Sequence, residues 1–143
     1  MKWAALVTWI TTAGFGFAML TIWLARGGMR TQQAGSRIRP PLILSHFLLA
    51  AAGLVLWIVY LAVDAEALVW IAFAALAIVA VLGWSMFAVW WRARQPVTEV
   101  VGHLAPDARP EDHFPKAVVG VHGLLAVTTV VLVFLTAIGV GGS

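Results

Sequence analysis

Cysteine is absent from the 143-residue chain, which excludes disulfides, thiolate metal sites, iron-sulfur clusters and thiol nucleophiles. Charge is scarce as well. Only 10% of the residues are Asp, Glu, Lys or Arg, against 62% apolar ones, well outside the composition of an ordinary soluble domain. No Gly-rich phosphate loop, Ser-His-Asp set or HExxH pattern occurs, and Gly14-Phe15-Gly16 is too short and wrongly placed for dinucleotide binding. An enzyme acting on a soluble substrate is therefore not expected. A lipid bilayer is the expected solvent.

Crossing a bilayer core takes about 20 consecutive apolar residues, and four uncharged stretches reach that length, at about 3–25, 41–63, 68–91 and 117–140. The first exceeds an ordinary signal-peptide core and is expected to remain as a helix. The expected fold is a single all-α membrane domain, an up-down bundle of four transmembrane helices. The net charge of +3 is read as a topology signal and not as a nucleic-acid footprint, because the basic residues gather where helices leave the membrane. Arg26, Arg30, Arg37 and Arg39 follow the first span; Arg92, Arg94, Arg109 and Lys116 follow the third; the link between spans two and three carries only Asp64 and Glu66. The positive-inside rule puts the two basic loops in the cytoplasm and both termini outside, in a plasma or inner membrane, with Lys2 in weak dissent. Most of the tryptophans fall near the expected interfaces and only Trp84 sits deeper. Arg39-Pro40-Pro41 and His113-Phe114-Pro115-Lys116 open spans two and four, Gly141-Gly142 closes the last one, and 92–116, with Pro96, Pro106 and Pro110, reads as an irregular, solvated connection.

The two halves of the chain repeat one another. Gly16, Met19 and Trp23 of span one match Gly83, Met86 and Trp90 of span three, while His46, Leu48, Leu49 and Ala50 of span two match His122, Leu124, Leu125 and Ala126 of span four. A duplication of this kind predicts two parallel repeats about a pseudo-two-fold axis along the membrane normal, with spans two and four on one diagonal. His46 lies six residues past Pro40 and His122 six past Lys116. A helical rise of about 1.5 Å per residue sets both roughly 9 Å inside the cytoplasmic boundary, at one level.

An imidazole in hydrocarbon is costly and faces the bundle interior. Two that meet on the axis supply the axial ligands of one haem b. Ala50 and Gly53 below His46, and Gly120 and Gly123 beside His122, are expected to make room for a flat ligand, and Arg37, Arg39, Arg92 and Arg94 to receive its propionates. On His46 and His122 the chain resembles the bis-histidine membrane cytochromes b across its four spans. The resemblance implies an electron carrier that exchanges electrons with quinol or an adjacent redox subunit. Those cytochromes commonly hold two haems, whereas no second histidine pair occurs near the outer helix ends here, so one haem is implied.

Two other readings stand beside it. Each histidine alone could hydrogen-bond a neighbouring helix, in an accessory or assembly subunit without a cofactor. Met19 and Met86, at about the depth of the histidines, could complete a soft Cu(I) site. His103 and His113 read as surface residues, and Asp64 and Glu66 as a polar hairpin turn. No carboxylate lies within a span, so a proton-coupled transporter would lack the usual relay.

Overall fold

A computed structural model describes residues 1–30, 36–94 and 109–140. Four helices account for most of them: α1 (Lys2–Ala25), α2 (Pro40–Val63), α3 (Glu66–Ala93) and α4 (Lys116–Ala137), with a short 3-10 turn at Pro110–His113. There is no strand among the described residues. All four helices are long and apolar enough to cross a membrane, and their lateral surfaces expose large side chains such as Trp3, Val81 and Leu124, each more than two-thirds accessible. Apolar surface on every side is what a helix bundle in lipid presents and what a soluble monomer avoids. The fold is compatible with a multi-pass membrane protein.

Helix starts follow the prolines. Pro40 and Pro41 open α2 after the extended Arg39, and the extended Pro115 caps α4, where a missing N–H leaves nothing unpaired. Helix ends follow glycines that the sequence reading passed over. Gly27, in the left-handed region at φ 79°, lets Gly28 N–H donate to Trp23 O (2.9 Å) after α1, and Gly139, also at φ 79°, lets Val140 N–H donate to Leu135 O (2.9 Å) after α4. Both are Schellman closures. The last helix thus stops before the expected 140, and Gly141 and Gly142 lie outside the described residues. Asp64 ends α2 at φ 51° with its N–H on Tyr60 O, and a two-residue link reverses the chain into α3.

α2 packs along α3 and α1 along α4, while lighter α3–α4 and α1–α2 contacts close the ring. That order leaves α1 and α3 on one diagonal and α2 and α4 on the other. The core lies toward the end that carries the termini: Ala5 and Trp9 of α1, Trp57 and Tyr60 of α2, Val69, Ala72 and Leu76 of α3, and Val133 and Ala137 of α4. Gly53 admits Trp9, since a Cβ there would meet the indole at 3.0 Å. Thr12 and Thr129 face each other across α1 and α4 with oxygens 3.5 Å apart, and each hydroxyl donates to the carbonyl one turn back. At the same end Lys2 pairs with the Asp64 carboxylate and stands over the Tyr60 ring. An anion beside it accounts for the lone lysine among otherwise acidic surroundings.

The opposite end overturns the expectation of a solvated third loop, at least for its last part. Pro110 and Glu111 are fully buried. The Glu111 carboxylate accepts from Ser36 Oγ (2.9 Å) and from Arg37 N–H (2.7 Å), and its backbone carbonyl accepts from the Trp90 indole (3.2 Å). Trp23, completely enclosed, donates to the same Ser36 hydroxyl (3.3 Å). Arg94 lies over Trp90 and donates to the Asp112 and Phe114 carbonyls. Segment 109–115 is therefore a plug that ties the two basic connections together, because the Glu111 carboxylate takes two donors from the first connection and its backbone carbonyl takes one from the end of α3. Pro96, His103 and Pro106 lie outside the described residues.

Candidate functional site

His46 on α2 and His122 on α4 approach each other across the bundle, with ring centres 6.4 Å apart and planes inclined at 57°. They come from diagonal helices, so the two imidazoles occupy the space between all four. Each is anchored the same way. His46 Nδ1–H donates to Val79 O of α3 at 3.0 Å, and His122 Nδ1–H donates to Thr12 O of α1 at 3.0 Å. A carbonyl partner fixes the proton on Nδ1 and leaves the Nε2 lone pair as the remaining donor atom. No partner for either Nε2 is found among the described residues.

The glycine that makes room for each ring comes from the neighbouring helix. A Cβ on Gly83 would stand 3.2 Å from His46 Cε1, and one on Gly16 would stand 3.1 Å from His122 Cε1. Each glycine lies one turn beyond the carbonyl that its histidine uses, Val79 to Gly83 and Thr12 to Gly16. The imidazole edge thus rests on bare backbone and reaches a carbonyl that already serves its own helix. The matched Gly16 and Gly83 were visible in the sequence repeat. Their contact with the histidines was not, because periodicity alone does not tell which helices are neighbours.

This packing makes a prediction. Gly83→Val places a branched side chain where His46 lies and should lift the ring off Val79 O, at a cost of about 1 to 3 kcal/mol. Gly16→Val should do the same to His122. Thermal unfolding in detergent measures both; unchanged melting of both variants would contradict the described contact.

The other expected site residues scatter. Gly53 is buried but is filled by Trp9 and Ala75, Ala50 is half-buried one turn from His46, and Gly120 and Gly123 face open space and not the ring of His122. Arg39 and Arg92 are exposed, Arg37 contributes its backbone N–H to Glu111, and Arg94 is held by Trp90 and two carbonyls. Met19 and Met86 are half-buried, three residues beyond Gly16 and Gly83. Among the described residues no group of three or more His, Asp or Glu side chains forms a metal site. His113 is half-buried and bonded to Arg109 O (3.0 Å).

Two metal-nitrogen bonds of about 2 Å, added to the half-widths of two imidazole rings, come to roughly 6 Å. The 6.4 Å between the ring centres is compatible with that sum. By its chemistry the donor set suits a haem iron, since each ring keeps an unprotonated nitrogen and each tautomer is held. Two cavities, at opposite ends of the bundle, measure about 550 and 380 Å³, and neither is lined by His46 or His122. No family model matches this chain, and no curated protein or solved structure matches it either.

Proposed function

We propose that the chain is a multi-pass protein of the plasma or inner membrane that holds one haem b between His46 and His122 and relays single electrons. The observation that carries the proposal is the convergence of two Nδ1-anchored imidazoles from diagonal helices. Axial ligands are commonly held in one tautomer by such a bond on the other ring nitrogen, and here both rings carry it at matched positions. Bound haem supplies reversible one-electron exchange at its iron. The protein's part is to hold both ring orientations, to keep water from the iron with the surrounding apolar helices, and to insulate the site from lipid.

The basic residues between α1 and α2 and between α3 and α4 orient the bundle with that end in the cytoplasm and both termini outside. Pairing of Lys2 with Asp64 removes the one charge that argued otherwise. The duplication is supported by the matched pairs Thr12 with Gly16 and Val79 with Gly83, each serving one histidine. Trp23 and Trp90 add to it, since both indoles enter the Glu111 network. Quinol or a neighbouring redox subunit is the expected partner for an iron that lies near the cytoplasmic side. Of the four arginines assigned to the propionates, Arg37, Arg39 and Arg92 are exposed at that end.

Protein purified from haem-replete cells should show a Soret band that shifts on addition of dithionite. A colourless, fully folded preparation rules the haem out. A second reading draws on the same hydrogen bonds: two imidazole-to-carbonyl contacts are complete interhelical staples in themselves, as an accessory subunit without cofactor needs. That protein would be colourless and would co-purify with a larger complex. The Cu(I) alternative requires Met19 and Met86 to join the two rings, and copper analysis of the purified protein tests it.

A further inference from the structure

At the basic end a groove of about 380 Å³ runs between α3 and α4. Phe87, Trp91 and Val119 line it, and Gly120, beside which nothing lies within 4 Å, leaves one wall open. Arg94 and Lys116 stand where the groove meets the end of the helices. Among the described residues Arg94 is a held cation without a counter-charge: its guanidinium lies 4.3 Å from the Trp90 ring centre, its Nη2 donates to two carbonyls, and its Nε is buried with no partner. The nearby Asp112 carboxylate is turned to Arg109 N–H instead, and the ion pair found among the described residues is the distant Lys2–Asp64. A partly buried guanidinium that meets only neutral partners among the described residues favours an anion beside it.

The paired half of the chain lacks these features. Where this half has Arg94, Lys116 and Gly120, the residues in register with the matched tryptophans and histidines are Gly27, Pro40 and Leu44. Gly27 and Pro40 carry no charge, and Leu44 is bulkier than Gly120. The groove is thus a departure from an otherwise repeated pattern, and both departures favour one type of occupant, an anionic head on an apolar tail.

We propose that this groove binds one anionic glycerophospholipid, its phosphate between Arg94 and Lys116 and an acyl chain along Phe87, Trp91 and Gly120. Basic pockets between transmembrane helices on the cytoplasmic side recognise such head groups through charge. The inference rests on the bilayer placement under Proposed function and is independent of haem.

Protein in a mild non-ionic detergent, incubated with phosphatidylglycerol or with phosphatidylcholine of the same chains, gives the bound lipid by native mass spectrometry. The wild type should favour phosphatidylglycerol by about tenfold or more, and Lys116→Gln, which alters an exposed side chain, should lower that preference about fivefold. Gly120→Leu keeps both charges and fills the wall, and should reduce binding of the anionic lipid severalfold. Equal binding of the two lipids, or a preference unchanged in both variants, overturns the proposal. So does a dimer that Gly120→Leu dissociates without any lipid preference, because a second copy would then be the occupant. Release of the protein from membranes by alkaline carbonate would overturn the bilayer placement itself, a separate failure.

Discussion

His46→Ala and His122→Ala are each expected to abolish the Soret band, and the double variant to be no worse than either alone. The two ring centres stand 6.4 Å apart, so in the proposed site they would serve one iron and not two, and removal of either would leave it one axial imidazole short. Effects of groups that act on one centre do not add. The same substitutions should cost only modest stability, since each removes one hydrogen bond to a neighbouring helix, worth about 0.6 to 2 kcal/mol. Absorbance therefore separates the two readings, because a cofactor site has a colour to lose and interhelical staples have none. Melting falls in both, by the lost hydrogen bond alone for a staple and further for a cofactor site, which also loses the stabilisation that a bound ligand gives. Full retention of a Soret band in both single variants would sink the assignment of these ligands.

Glu111→Ala is expected to produce the largest loss of stability, about 2 to 4 kcal/mol, because two hydrogen bonds to a buried carboxylate disappear together. The side chain is fully enclosed and receives Ser36 Oγ and Arg37 N–H. Removing it leaves the amide at the start of α2 without its acceptor and loosens Ser36, which also receives the Trp23 indole. Glu111→Gln should be far milder. Its amide oxygen can still accept from Arg37 and its NH2 group can donate to Ser36, whose own proton has the Ile38 carbonyl 3.1 Å away as an alternative acceptor. Denaturation in mixed micelles with increasing dodecyl sulfate measures both. Equal midpoints for the alanine and glutamine variants would show that the carboxylate does not hold this end together.

The contrast between these two regions explains what was readable in the residues alone. Helix number and length follow from apolar runs, which in lipid have no rival structure. The common depth of His46 and His122 follows from a fixed rise per residue. Which glycines would touch them does not, because Gly120 and Gly123 are near in sequence yet point outward from α4, whereas Gly16 and Gly83 belong to the helices alongside. Nearness along one helix was taken for nearness in space. The plug was illegible for another reason. Pro110-Glu111-Asp112-His113 has the composition of a solvated turn, and only the donors converging on Glu111 from 36 and 37 make its burial tolerable. The last helix ends short of the expected 140 where Gly139 supplies a left-handed residue, since a glycine inside an apolar run gives no sign of closing it.

The pairing of α1 with α4 sets an order of events during synthesis. Thr12, whose carbonyl holds His122, emerges from the ribosome with the first helix, and its partner is the last helix to be made. The hairpin of α2 and α3 can assemble as soon as it is inserted, with His46 already seated on Val79. The opening helix must meanwhile wait in the bilayer beside that hairpin. A chain arrested before Lys116 would carry one histidine in its finished environment and a first helix with its main mate missing, so any group that the pair holds would have to be loaded after α4 is made.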